Sequence, residues 1–169
     1  MNPPLQAAFF DACRRNDRGA AELLLAEDAG LLNAPDGRGF TPLILAVYND
    51  APDVTTLLLE RGADVDATDA AGNTALMGVC FKGYPALFHD LLGAGANVHL
   101  RNSNGATALT FAATFGHIGF AEALLQRGAS VLVPDARGKN PIDHAIIQEN
   151  EPMVELLVRY LPKEEEPAP

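Results

Sequence analysis

The chain of 169 residues is about one domain long, and 48% hydrophobic against 20% charged residues is the balance of a folded protein, not a disordered one. Its formal charge of −10, with 12 Lys and Arg spread along the sequence, excludes a general polyanion binder, because neutralising phosphates takes clustered cations. Nucleic acid and anionic membranes are therefore not expected as partners.

At the N-terminus, Met1-Asn2-Pro3-Pro4-Leu5 shows no basic run leading into an apolar core, and no later stretch is long enough to cross a bilayer, so a cytoplasmic protein is expected. Residues 5–26 read as two short helices. Their landmarks return 34 residues later: Ala12 aligns with Ala46, Asn16 with Asp50, and Leu24-Leu25 with Leu58-Leu59. One extra residue therefore sits in the loop before Asp36, after which the spacing settles at 33. Gly39, Gly72, Gly105 and Gly138 share one phase, Gly62, Gly95 and Gly128 a second, and Leu58, Leu91, Leu124 and Leu157 a third. A fixed period of this length means stacked copies of one supersecondary unit.

Each unit opens on a turn. Asp36-Gly37-Arg38-Gly39, Asp69-Ala70-Ala71-Gly72, Asn102-Ser103-Asn104-Gly105 and Asp135-Ala136-Arg137-Gly138 put Asp or Asn at the first corner and Gly at the fourth, as a type I turn prefers. Thr41, Thr74, Thr107 or Asn140 then offers a side-chain oxygen to a helix start, and Pro42 and Pro141 follow at the first helical position. This first helix is expected to be about ten residues long, to carry the small Ala46, Val79, Ala112 or Ala145 towards its neighbours, and to stop at Gly83 and Gly116 in the middle units. The second helix buries Leu58-Leu59, Leu91-Leu92 or Leu124-Leu125 and ends at Gly62, Gly95 or Gly128.

In the last unit Asn140-Pro141-Ile142 starts the first helix, and Met153, Leu156, Leu157 and Tyr160 are expected on the buried side of the second. Five units result. Residues 1–35 form an N-terminal cap, 36–68, 69–101 and 102–134 internal repeats, and 135–161 a C-terminal cap, with 162–169 a disordered tail rich in Glu and Pro.

The Asp-x-x-Gly-x-Thr-Pro-Leu and Leu-Leu-x-x-x-Gly-Ala-Asp-Val pattern, seen best at Phe40-Thr41-Pro42-Leu43 and Arg61-Gly62-Ala63-Asp64-Val65, resembles the ankyrin repeat over about residues 5–161. Gly116-His117 is similar to the family's Gly-His after the first helix. The family's His after Thr-Pro-Leu is replaced by Ile44, Met77, Thr110 and Asp143, which puts in doubt the hydrogen-bond ladder that His gives between repeats. The resemblance implies an all-α solenoid of stacked helix pairs with β-hairpin or turn fingers, acting as a monomeric scaffold that binds another protein through its concave groove. The Ala-rich composition and the stretches Tyr48-Asn49, Phe81-Lys82-Gly83 and Phe115-Gly116 resemble small bacterial ankyrin proteins, some of which accompany catalases and peroxide defence.

Catalysis and metal binding need convergent groups. His89 falls on a second helix, His99 on a finger arm, His117 between helices and His144 on the last first helix, and there is no His-Glu-x-x-His, paired Cys or Gly-Lys-Ser/Thr spacing. No metal, cofactor or enzymatic activity is expected. Cys13 and Cys80 share a helical phase two repeats apart, on the order of 20 Å, beyond the roughly 7 Å that a disulfide spans, so two separate and buried thiols are expected.

Partner contacts are carried by the resemblance onto the finger tips Arg38, Phe40, Asn73, Asn104 and Arg137 and the helix positions Tyr48, Phe81, Lys82 and Phe115. Phe40, Tyr48, Phe81 and Phe115 form an apolar stripe with Lys82, Arg101 and Arg137 beside it, suited to a segment of acidic and apolar residues. Phe81 and Phe115 either anchor the partner, the reading favoured here, or pack between repeats; Phe111 is expected in the core. The rival functions are an inhibitor or immunity-type protein that blocks a toxin or enzyme, self-association through the stripe, and an enzyme with an unrecognised site.

Overall fold

The computed structural model describes residues 3–162, and they are all-α. Five helix pairs follow one another: α1 (Pro3–Arg14) with α2 (Arg18–Glu27), α3 (Pro42–Tyr48) with α4 (Pro52–Glu60), α5 (Ala75–Lys82) with α6 (Pro85–Gly93), α7 (Ala108–Phe115) with α8 (Ile118–Gln126), and α9 (Pro141–Ile147) with α10 (Glu151–Val158). The odd-numbered helices stack in one row, α1 on α3, α3 on α5, α5 on α7 and α7 on α9. None of the helices is long and apolar enough to cross a membrane.

Local chemistry sets both ends of each helix. Thr41, Thr74, Thr107 and Asn140 accept the amides of Ile44, Met77, Thr110 and Asp143 at 3.2, 3.2, 3.3 and 3.0 Å. The helices that follow are seven or eight residues long, shorter than the expected ten, because the chain turns left-handed at once. Gly83 and Gly116 take φ of 81° and 75°, and the same phase is held by Asn16 at 57°, Asp50 at 52° and Glu149 at 53°. One residue on, the amides of Asp17, Ala51, His117 and Asn150 reach back to the carbonyls of Ala12, Ala46, Ala112 and Ala145 at 2.9–3.0 Å. These alanines keep stacked helices close and supply the acceptor that ends their own helix. The second helices close in the same way, with Ala63, Ala96 and Ala129 donating to Leu58, Leu91 and Leu124 across a left-handed Gly.

The shared phases share an environment. Leu58, Leu91, Leu124 and Leu157 are all at 0% exposure, and Phe88 of α6 stacks on Phe120 of α8 with centroids 4.1 Å apart and planes 5° from parallel. Cys13 and Cys80 are buried free thiols. Burial pushes the Cys13 thiol up to about 12 and the Cys80 thiol higher still.

Three expectations need correction. The connection before Asp36 contains a 3-10 turn, Ala29–Asn33, which buries Leu31 completely. In α2 it is Leu25 that enters the core, with Leu24 half-buried beside it, and in α4 Leu58 is buried while Leu59 is half-buried. Tyr160 is 41% exposed, as its phase is in the internal repeats at Arg61, Ala94 and Arg127, and Leu156 is half-buried. Of the tail read at 162–169, residues 163–169 lie outside the described residues.

Candidate protein-binding face

The fingers between helix pairs are turns closed at both levels. Gly39, Gly72, Gly105 and Gly138 donate to Asp36, Asp69, Asn102 and Asp135 at 2.8–2.9 Å, and each first-corner amide donates to the carbonyl four residues on. The corner side chains complete the loop: Oδ1 of Asp36 takes the amides of Arg38 and Phe40 at 2.9 and 3.0 Å, and Oδ1 of Asp135 those of Arg137 and Lys139 at 2.8 and 2.9 Å. Among the described residues no strand ladder forms; an isolated antiparallel bridge joins Thr68 and Thr74. Adjacent fingers are tied by Ser103 N–H to Ala71 O at 2.9 Å, Ala136 N–H to Asn104 O at 2.7 Å, and Asn102 Nδ2 to Asn73 Oδ1 at 2.8 Å. The tips therefore present a semi-rigid edge.

Against that edge the candidate aromatic residues form one continuous row. Ring centroids lie 6.2 Å apart from Phe40 to Tyr48, 6.4 Å from Tyr48 to Phe81 and 4.8 Å from Phe81 to Phe115, where the planes meet at 88°. Such edge-to-face contacts are favourable between rings and orient both. Phe40 and Tyr48 are half-buried, while Phe81 and Phe115 stay 42% and 45% exposed. Burial, then the Asp69 carboxylate, raises the Tyr48 phenol above its ordinary value. The row thus has both characters: the rings pack on one another between repeats and still offer apolar surface.

At its far end the row opens on a cavity of about 310 Å³ between the last two fingers and α7 and α9. Phe111, Thr114 and Phe115 line one side, Asn104, Ala136 and Arg137 the tips, and Asp135 and His144 the back. His144 Nε2 lies 2.9 Å from Asp135 Oδ2. The Asp135 carboxyl is held below its usual range, first by the Lys139 amide and then by His144. Phe111, expected in the core, is half-buried: it packs against the core and also lines this cavity. His144 and Thr110 were missed as lining residues. The signal for His144 was its place on the row of first helices, where it shares a phase with Leu45, Gly78 and Phe111.

The basic candidates behave differently from one another. Arg38 is exposed at its tip with its guanidinium carbon 5.3 Å from the Phe40 centroid, and Arg137 is exposed at the cavity mouth. Lys82 turns to the α5–α6 junction, its Nζ 5.9 Å from the Tyr84 ring. Arg101 is committed to the scaffold, its Nε donating to Gly105 O at 3.0 Å and its Nη2 to Pro134 O at 2.6 Å. Asn73 is bonded within its own finger to Asp69 and to Asn102 of the next, whereas Asn104 leaves its side chain exposed. Among the described residues no group of three His, Cys, Asp or Glu is placed to hold a metal ion.

A family model described as ankyrin repeats (3 copies) matches residues 76–166, more than half of the chain, and another described as ankyrin repeats (many copies) matches residues 23–77. The chain belongs to the ankyrin repeat family. Among curated proteins none matches it. In this ankyrin solenoid the position of the family's His is put to other uses. Ile44 and Met77 are fully buried apolar residues there, and Thr110 and Asp143 reach back to the amides of Thr107 and Asn140 as capping boxes. Modules of the ankyrin family generally mediate protein–protein contacts.

Proposed function

We propose that the chain is a non-catalytic scaffold that takes a segment of a partner protein along the groove between the fingers and the first helices. The observation that carries this is the unbroken row Phe40, Tyr48, Phe81 and Phe115, with two half-exposed rings, running into a cavity large enough for one bulky side chain. Aromatic and Arg side chains are the commonest interface anchors. Arg38 at one end and Arg137 at the other favour a segment whose apolar residues are accompanied by carboxylates. Asn73, Arg101 and Asn104 border the same path, Arg101 by holding it in shape, and Lys82 would meet the partner from the α5–α6 junction beyond Phe81. The division into five units with terminal caps, a monomeric state and a cytoplasmic setting belong to this reading. So does kinship with the small bacterial ankyrin proteins, which rests on the Ala-rich composition and the Tyr48, Phe81 and Phe115 stretches.

The test is affinity purification with the wild type and with Phe81→Ala/Phe115→Ala as bait. The variant should lose the captured partner while its melting temperature falls little, since each ring gives up only part of its burial. Retention of the partner, or a stability loss of several kcal/mol, roughly that of emptying a core site, returns both rings to packing.

A further inference from the structure

We infer that the face of α9 and α10 that no other described helix covers is a second docking site, on a different face from the groove, for a cationic amphipathic segment. In a stacked fold a face left without a neighbouring repeat is ordinarily polar. Here it is apolar. Ile146 is 57% exposed, yet Val47, Cys80 and Ala113, which share its phase, are all at 0% because the next helix pair covers them. Val158 is 45% exposed where Leu92 and Leu125 are at 6% and 4% and Leu59, of the same phase, is half-buried. The unit has kept apolar side chains at both phases, with Ile146 larger than its counterparts and Val158 smaller.

What covers them is indicated by charge. A cavity of about 380 Å³ is lined by Ile146 and Val154 and rimmed by Glu149, Glu151 and Glu155, with no Lys or Arg in its wall. None of the three carboxylates joins an ion pair among the described residues. A second copy facing this one would bring two such rims together, and the chain's own Lys163-Glu164-Glu165-Glu166 adds carboxylates in excess of ammonium. A partner helix with an apolar stripe flanked by Lys or Arg satisfies both the cavity and its rim, since opposite potentials across an interface select the partner.

The probe is a synthetic amphipathic Leu-Lys helix of about 18 residues, titrated into the isotope-labelled full chain at about 150 mM salt and followed by amide chemical shifts. Saturable shifts are expected around Ile146, Glu149, Val154 and Glu155. Affinity should fall about tenfold or more in Glu149→Gln/Glu151→Gln/Glu155→Gln and in Ile146→Ser, but not in Glu27→Gln/Asp90→Asn/Glu122→Gln, which removes the same charge elsewhere. Equal weakening by both triple variants reduces the effect to net charge and overturns the site. So do shifts confined to Phe81 and Phe115, which place the peptide in the groove. A dimer in sedimentation that Ile146→Ser dissolves assigns the face to a second copy, and shifts at Ile146 and Val154 on truncation after Pro162 assign it to the chain's own end; either overturns the inference.

Discussion

Tyr48 lies across Gly78, so closely that a Cβ on the glycine would sit 2.7 Å from the tyrosine Cε2. The ring of one first helix rests on the bare backbone of the next, and from there it reaches Phe81. The absence of a side chain at position 78 is what lets the aromatic row cross from α3 to α5. Gly78→Ala should gain roughly 1 kcal/mol of helix propensity and lose a comparable amount of packing as the ring is displaced, leaving the melting temperature nearly unchanged. The displaced phenol loses the burial that raises its pKa, so its titration moves down towards the ordinary value of about 10. Ultraviolet titration of the tyrosines detects that shift; an unmoved curve together with unchanged partner capture would show that the row does not depend on this contact.

Asp135 offers a comparison within the chain, because Asn102 holds the same corner and its Oδ1 likewise takes the amides of Asn104 and Ala106, both at 3.0 Å. Asp135→Asn should therefore keep the turn and lose the charge-assisted bond to His144, at a cost of about 1 kcal/mol. The native carboxyl titrates below its unfolded value, so its contribution is present above the unfolded pKa of about 3.9 and disappears as pH falls through the folded one. Urea denaturation of wild type and variant at pH 5 and pH 3 should show the gap in stability closing towards acid. A gap that stays constant over that range assigns the loss to turn geometry instead.

The period was readable because it is written in residues with strict backbone or burial requirements. Gly62, Gly95 and Gly128 sit at positive φ, and Leu58, Leu91 and Leu124, whose carbonyls take the amide one residue after each Gly, lie in fully dry sites, so few other residues serve. The turn at Ala29–Asn33 was not readable, since it lies in the one connection that departs from the repeat. Arg101 was legible as a cation near the groove but not as a clamp, because the direction of a long side chain depends on which carbonyls the neighbouring finger leaves open. Tyr160 misled for a different reason: Arg61, Ala94 and Arg127, which share its phase, are exposed in the internal repeats too, so its place in the repeat outweighs its aromatic character. The cavity is lined by Phe111 and His144, whose phase carries Leu45 and Gly78 in earlier repeats, and a period records that a place recurs, not how full it is.

The two cysteines give a prediction at alkaline pH. Both thiols are buried with pKa values raised by desolvation, Cys13 to about 12. The folded state holds their protons where the unfolded chain releases them, so stability is intact below the unfolded thiol pKa of about 8.5 and declines as pH rises above it. The slope should approach 1.4 kcal/mol per pH unit for each thiol, about 2.7 for both, until the folded values are reached. Denaturation midpoints at several pH values between about 8 and 10.5 measure it, and Cys13→Ala/Cys80→Ala should flatten the dependence. The same burial predicts that a thiol reagent leaves the native protein unlabelled and modifies both residues in urea.

At the end of α9, Glu149 holds φ of 53° where the equivalent Gly83 and Gly116 hold 81° and 75°. A residue with a Cβ in this region costs roughly 1–2 kcal/mol, and Glu lacks the short polar side chain with which Asn or Asp reduces that cost. Two repeats within the chain already show the solution. Glu149→Gly should keep the reach of the Asn150 amide to Ala145 O, at 3.0 Å, and stabilise the protein by about 1 kcal/mol despite the greater freedom that glycine brings to the unfolded chain. Thermal unfolding should show an increase of a few degrees for a chain of this size. Asp50→Gly, at φ 52°, should gain less, because Asp tolerates the conformation better. If Glu149→Gly is instead neutral or destabilising, its carboxylate makes a compensating contribution at the end of the solenoid. The Leu-Lys peptide then separates the two effects, since the substitution also removes one rim charge and should weaken that binding whichever way stability moves.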